Sequence, residues 1–198
     1  KKQINFPRYE HYKDSGIDWI GEIPVDWEIL PIKRALKNFA NGFWGTDPNG
    51  EDDLIVLRVA DFDRNTLTIS DKNLTYRAIK KQDRVNRLLK AGDILLEKSG
   101  GGDKTLVGVN VFFDKKYLAI TSNFIMKMTP HRYFNSKYIN YVFATLYANN
   151  INYRSIKQTT GIQNLDTNSY LLEKITISPL PEQTAIAQFL DHKTAQID

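Results

Sequence analysis

The stretch Ser178–Asp191, SPLPEQTAIAQFLD, decides how the last part of this chain folds. Pro181 suits the first turn of a helix, where a missing N–H group costs nothing, and Glu182 is favourable beside the positive end of the helix dipole. Ile186 and Leu190 then recur at helical spacing. The stretch therefore predicts a helix that begins close to Pro181.

The apolar pattern of this helix is still running when the sequence stops at Asp198. No glycine, asparagine or proline closes the pattern after Ile197, although such residues usually mark a helix end. We therefore expect the helix to continue, and we expect its partner surface to lie outside residues 1–198 or on another chain.

Upstream of the helix, the sequence predicts short strands with a few helices. Asn135 resembles an N-cap for a helix that reaches about Tyr147, and residues 170–172 close a shorter helix. Residues 1–25 show no clear period and predict an extended arm that packs through its tryptophans. Short β-branched or apolar runs predict strands at residues 54–60, 94–96, 106–113, 124–128 and 174–177.

Helices and strands are segregated in this pattern, so the predicted fold class is α+β. We expect a single globular domain of short mixed strands over residues 1–178, with the arm at residues 1–25. Residues 179–198 are expected to start a separate long helix.

Composition excludes several classes of function. The chain has no cysteine, and its three histidines stand far apart in sequence, so we expect no metal and no cofactor. No apolar run is long enough to span a membrane, which favours a cytoplasmic protein without a membrane partner.

The net charge of the chain is +4, and residues 72–104 hold nine cations against four acids. Such a segment suits a polyanion or, alternatively, a solvated lysine-rich surface.

No catalytic motif is complete. Glu97 and Lys98 follow an apolar strand, but they are adjacent, whereas the metal-dependent nuclease pattern places one residue between the acid and the lysine. A nucleotide phosphate loop would need glycine before its lysine, and Asp103 stands there instead. We therefore predict that the chain is not an enzyme.

Two polar segments are the candidates for nucleic-acid contact. In the first, a glycine run could donate N–H groups to phosphate, or it could be a flexible turn. In the second, amides and hydroxyls could bind base edges, or they could cap and turn a loop. The candidate residues are Lys98, Ser99, Gly100, Gly101, Gly102 and Lys104 in the first segment, and Arg154, Lys157, Gln158, Thr159, Thr160, Gln163 and Asn164 in the second.

A third loop, Asn41–Gly45, places Phe43 and Trp44 between glycines. These rings could stack on sugars or bases, but we favour a role in covering an edge of the core.

Four stretches resemble one family. Besides Ser178–Asp191, they are YKDSGIDWIGEIPVDW at Tyr12–Trp27, KAGDILL at Lys90–Leu96 and TTGIQN at Thr159–Asn164. Together they resemble the specificity (S) subunits of type I restriction-modification systems, from about Tyr12 to Asp198. In that family the last stretch joins a DNA target-recognition domain to a long spacer helix.

The resemblance implies sequence-specific binding of double-stranded DNA at one half of a bipartite site. The partners would be methyltransferase (modification) subunits and a restriction/translocase subunit, which carry out the chemistry. Two alternatives remain: a protein-interaction domain that pairs through its C-terminal helix, and a nuclease domain.

Overall fold

The computed structural model describes residues 9–101 and 105–196. The strands are β1 (Tyr12–Asp14), β2 (Glu22–Pro24), β3 (Glu28–Pro31), β4 (Leu36–Asn41), β5 (Asp53–Leu57), β6 (Phe62–Asp63), β7 (Thr68–Ile69), β8 (Tyr76–Ala78), β9 (Asp93–Glu97), β10 (Ser99–Gly100), β11 (Asn110–Phe113), β12 (Ala119–Thr121), β13 (Ile125–Pro130), β14 (Ile156–Thr160), β15 (Ile162–Leu165) and β16 (Lys174–Ile177). The α-helices are α1 (Lys81–Arg84), α2 (Ser136–Ala148), α3 (Thr167–Tyr170) and α4 (Leu180–Thr194). This mixture of short strands and few helices confirms the predicted α+β class.

The centre of the fold is a four-stranded antiparallel sheet with the order β11-β9-β13-β4. Every residue of β9 is buried, as expected for a continuous apolar run with both faces covered. Ile94 and Leu96 pack in the core with α2 and α4, while Leu95 packs in a second core with β5 and β12. The sheet therefore separates two apolar layers.

Helix α2 confirms the predicted cap. The Asn135 side chain accepts a hydrogen bond from the Tyr138 N–H at 3.1 Å. Ile139, Phe143 and Leu146 follow on one face of the helix and are buried against the central sheet. These residues form a large part of the first core.

Helix α4 begins at Leu180, close to the predicted start, with a proline in its first turn. The Gln183 side chain is buried; its Oε1 accepts from the Asn135 N–H at 2.9 Å, and its Nε2 donates to the Ser178 carbonyl at 2.7 Å. One amide thus joins the start of α4 to the end of β16 and to the cap of α2.

One expectation for α4 was wrong. The described helix runs to Thr194, after which the Ala195 N–H donates to the carbonyls of Asp191 and Lys193, and its continuation past Asp198 stays a prediction. The expectation that its partner surface lies outside residues 1–198 or on another chain was wrong. Ile186 and Ala187 pack in the first core with α2, and Asp191, near the end of α4, accepts from Lys137 Nζ at 2.6 Å and from the Tyr141 hydroxyl at 2.8 Å. Ile197 and Asp198 lie outside the described residues.

The N-terminal segment is not simply extended. β1 and β2 form an antiparallel hairpin, in which Gly16 and Gly21 supply the positive φ angles of the connection. Trp19 packs against the first core, and the Trp27 Nε1 donates to Glu182 Oε2 at 3.1 Å. The tryptophans therefore anchor this segment, as predicted, while residues 1–8 lie outside the described part of the chain.

Two predicted strands are shorter than expected. The run at 54–60 stops at Leu57, because the Asp61 carboxylate accepts the Arg58 N–H at 2.7 Å and closes a 3-10 turn over Val59–Asp61. The run at 106–113 pairs only from Asn110 onward. None of the helices in residues 9–101 and 105–196 is long and apolar enough to cross a membrane.

The amide bridge predicts a measurable loss of stability. We expect Gln183→Ala to lower the free energy of unfolding by about 2–4 kcal/mol, because each polar group left without a partner costs about 1–3 kcal/mol. Gln183→Met, which keeps the apolar volume, should remain destabilised.

Urea denaturation measures both changes, with Gln188→Ala on the exposed side of α4 as the control. Equal stability of Gln183→Met and the unmodified chain would show that packing alone matters at this position.

Candidate nucleic-acid interface

The two polar segments meet in one small sheet. Strand β15 pairs with both β10 and β14, so Ser99 lies opposite Asn164 and Gly100 lies opposite Gln163. We call this three-stranded sheet, made of residues 99–100, 162–165 and 156–160, the polar sheet. The expectation of a loop or turn at Gln158–Asn164 was wrong, because the residues form a hairpin that turns at Gly161 with φ +69°.

Alternation along β15 divides its side chains into two sets. Gln163 and Leu165 are buried, while Ile162 and Asn164 are exposed, as expected when successive side chains point to opposite faces. The Gln163 Oε1 accepts from the Val107 N–H at 2.9 Å. This buried position corrects the expectation that Gln163 reads bases, because its amide holds the Val107 backbone instead.

Across the exposed face runs a row of three polar side chains, Ser99, Asn164 and Lys157, one from each strand of the polar sheet. The Ser99 hydroxyl donates to Asn164 Oδ1 at 2.6 Å, which fixes the amide and leaves both of its N–H donors pointing away from this bond. Lys157 Nζ binds Asp166 Oδ2 at 2.7 Å and stays 74% exposed. We call these three residues the polar row.

Lys98 connects the central sheet to the polar sheet. Its N–H donates to the Phe124 carbonyl at 2.9 Å, and its own carbonyl accepts from the Leu165 N–H at 2.9 Å. The side chain is half-buried, and desolvation lowers the pKa of its ammonium group. An anion beside this ammonium would offset the desolvation.

The described glycines of the first segment are explained by close contacts inside the protein. A Cβ on Gly101 would lie 2.8 Å from Gln163 Oε1 and 2.9 Å from the Thr105 carbonyl, and Gly101 has a φ of +65°. A Cβ on Gly100 would lie 2.6 Å from Glu97 Oε1. These glycines therefore allow tight packing inside the protein, and their approach to phosphate stays a prediction.

Not all candidates can be located. Gly102 and Lys104 lie outside the described residues, as do the side chains of Thr159 and Thr160, whose backbone belongs to β14. Gln158 is exposed on β14. Arg154 lines a separate cavity of about 410 Å³ with Asp18 and Glu173, so it does not join the polar row.

Glu97 lies beneath the polar sheet and is 1% exposed. Arg64 Nη2 binds its carboxylate at 3.2 Å, and the backbone N–H groups of Val109 and Gly108 also donate to it. Desolvation raises the pKa of the carboxyl group, although Arg64 and the hydrogen bonds oppose that shift. The sequence gives no sign of Arg64 as a partner, since the two residues are 33 positions apart.

The aromatic loop has a third role that the sequence did not indicate. Phe43 and Trp44 are each 37% exposed. The Arg87 guanidinium lies 5.8 Å from the centre of the Phe43 ring, and that of Arg77 lies 4.9 Å from the Trp44 ring. The rings are thus partly covered by cations, and neither closes the core.

Within residues 9–101 and 105–196, no group of histidines and acids could hold a metal ion.

Solved structures define the class of fold. A chain described under complex assembly and conformational transition of the type I R-M system matches with a TM-score of 0.62 and 16% identity, covering 94% of this chain and 42% of that chain. The HsdS subunit of Thermoanaerobacter tengcongensis matches with a TM-score of 0.59 and 15% identity, covering 94% of this chain and 40% of that one. The type I restriction-modification S subunit of M. genitalium matches with a TM-score of 0.54 and 16% identity, covering 83% of this chain and 38% of that one. The fold is therefore that of type I specificity subunits.

The family follows from the sequence. The chain belongs to the type I restriction modification DNA specificity domain family, whose model matches residues 49–198. This match confirms the resemblance seen in the motifs, although Tyr12–Trp27 lies outside the matched range. No curated protein sequence matches the chain. The chain spans about two fifths of the length of the solved relatives.

Burial of Glu97 predicts a dependence of stability on pH. Because the folded pKa is raised above 4.5, the folded state holds its proton to higher pH than the unfolded state does. The free energy of unfolding should therefore fall as pH rises from 4.5 through the folded pKa. In Glu97→Gln this loss should be absent.

Urea denaturation between about pH 4 and pH 7 compares the two chains in the range where carboxyl groups titrate. Glu51→Gln, at an exposed turn, is the control and should parallel the unmodified chain. Parallel curves for Glu97→Gln as well would contradict the assignment.

Proposed function

We propose that this chain binds double-stranded DNA sequence-specifically and reads one half of a bipartite site within a type I restriction-modification complex. The observation that carries the proposal is the polar row of Ser99, Asn164 and Lys157 on one sheet face, with Asn164 and Lys157 exposed, in a member of a DNA specificity family. A polar row on a rigid sheet is held in place before DNA arrives, which limits the entropy lost on binding.

Within the row, we assign base recognition to Asn164 and backbone contacts to the cations. An asparagine amide can bind adenine through one donor and one acceptor. Asn164 keeps two N–H donors and one Oδ1 lone pair beyond its bond with Ser99. Lys157 and Lys98 are assigned to phosphate contacts, which would position the domain without reading sequence.

The remaining candidates have secondary roles in this proposal. Gln158, Thr159, Thr160 and Lys104 are proposed to extend the interface along the same edge. Gly100, Gly101, Gly102 and Gln163 are proposed to shape it from beneath. Arg154 is assigned a phosphate contact only at the periphery, because it lines a separate cavity.

We further propose that residues 1–178 form the recognition domain and that residues 179–198 begin a spacer helix. Each helical residue would add about 1.5 Å, so the length of the spacer would set the distance between two half-sites. Support comes from the start of α4 at Leu180, directly after β16.

The chain itself is proposed to be non-catalytic and to direct methyltransferase and restriction/translocase partners to the site in the cytoplasm. Glu97 supports this assignment, since its carboxylate is occupied by Arg64 and by backbone N–H groups. The protein-interaction and nuclease alternatives have no support from the family or the fold.

Titration with random-sequence duplex at several salt concentrations tests DNA binding directly. We expect the logarithm of the affinity to fall linearly with the logarithm of salt concentration, since each phosphate contact contributes a slope of about −0.9. Binding that ignores salt would reject the phosphate contacts.

Asn164→Ala should change which sequence is preferred, because a good bidentate contact is worth about 1–3 kcal/mol of base discrimination. Selection from a randomised duplex pool, followed by sequencing, measures the preference. Asn168→Ala, an exposed asparagine on α3, is the matched control. An unchanged motif in Asn164→Ala would remove the base-reading role of this residue.

Lys98→Ala should weaken binding to all duplexes similarly and reduce the salt slope by about 0.9. The comparison is Lys116→Ala, which removes an equal charge from the exposed connection between β11 and β12. If Lys98→Ala weakened binding to the preferred duplex only, its assignment to phosphate would be wrong.

A further inference from the structure

A second cationic surface lies at the opposite end of β9 from the polar sheet. It is a groove of about 620 Å³ between the edge of the central sheet and the segment around α1. Its lining includes five cations and no acid, so the groove concentrates positive charge. The cations are Lys37, Lys81, Arg84, Lys90 and Lys127. We call it the basic groove.

Two cations of the basic groove are already held by the protein. Lys127 is 7% exposed at its side chain, and its ammonium donates to the carbonyls of Asn86 and Leu88 at 3.0 and 2.9 Å. Arg84 binds the Asp52 side chain at 3.3 Å. These two residues shape the groove and contribute charge, but their donors are largely committed.

The other three cations, Lys37, Lys81 and Lys90, are exposed. Among the residues that the structure describes, none of the three has a carboxylate within ion-pair distance. They come from β4, from α1 and from the segment before β9, so the fold brings together lysines that are distant in sequence. An anion bound among these like charges would relieve their mutual repulsion.

The acids near the basic groove do not neutralise it. Asp93 approaches Lys127 at 3.9 Å, but it is buried behind the groove. The two carboxylate oxygens of Asp93 accept hydrogen bonds, one from the Thr129 hydroxyl at 2.6 Å and one from the Lys90 N–H at 2.8 Å. Desolvation chiefly lowers the pKa of Lys127; Asp93 opposes that shift and Lys90 adds to it. Asp52 and Asp93 thus offset the charges of Arg84 and Lys127, and the net positive charge of the groove comes from the exposed Lys37, Lys81 and Lys90.

We propose that the basic groove binds backbone phosphates of the same DNA duplex that the polar sheet reads, an inference that rests on the proposed function. Lys90 precedes β9 and Lys98 follows it. The five residues of β9 span about 16 Å at about 3.3 Å each, which is about half of a B-DNA turn of about 34 Å. A short duplex is therefore long enough to reach both surfaces.

Lysine is suited to this task because its ammonium is a compact charge on a flexible stem that can follow a backbone without reading bases. The groove would add affinity and orientation, while preference for sequence would remain with the polar sheet. The cation excess of residues 72–104 indicated such a surface, but it did not indicate that Lys37 and Lys127 join it.

The test uses the double variant Lys81→Ala/Lys90→Ala in the full 198-residue chain, titrated with random-sequence duplex across a salt series. Loss of two phosphate contacts should reduce the salt slope by about 1.8 and weaken binding on the order of tenfold at moderate salt. The motif selected from a randomised pool should not change. Lys33→Ala/Lys116→Ala, which removes two exposed lysines outside the groove, is the matched control.

The outcomes separate this inference from the proposed function. Salt-dependent binding by the unmodified chain with an unchanged slope in Lys81→Ala/Lys90→Ala would overturn the groove assignment alone. An equal loss in the control pair would also overturn it, because the effect would then reflect net charge. Absence of duplex binding by the unmodified, folded chain would overturn both proposals.

Discussion

The fold depends on one buried side-chain amide. Gln183 satisfies the Ser178 carbonyl and the Asn135 N–H at the point where β16, α2 and α4 converge. A buried polar group without a partner is costly, so the amide stabilises the arrangement in which the three elements meet. The neighbouring bond from Trp27 to Glu182 ties the segment that follows the N-terminal hairpin to α4. Glu182 and Gln183 of the PEQ stretch therefore have a structural role.

Hydrogen bonds of buried polar side chains also position the candidate interface. Buried polar groups beneath the polar sheet, Glu97 and Gln163, are bonded to backbone N–H groups of residues 107–109. Because these groups are satisfied from below, they need no hydrogen bonds from the outward residues, and the exposed Asn164 and Lys157 face solvent. Along β15, buried residues that hold the fold alternate with exposed residues that can contact a ligand. The exposed residues can therefore be replaced without changing the buried ones.

Elements with strong local signals were predictable from the sequence. The cap at Asn135, the apolar run of β9 and the alternating residues 174–177 each correspond to a described element. The hairpin at 156–165 was missed, because its amides and hydroxyls have the composition of a loop. Burial of Gln163 could not be inferred, since its partner Val107 is 56 residues away and is brought near only by the tertiary fold.

The two-residue alternation of β15 also constrains how new specificities can arise. Inserting one residue between Gly161 and Gln163 would shift the register, exposing Gln163 and burying Asn164, and would disrupt both the packing and the ligand-facing side at once. Replacing an outward residue leaves the inner face intact. The hairpin can therefore change by substitution but not by insertion. We expect related chains to keep its length while its outward residues differ.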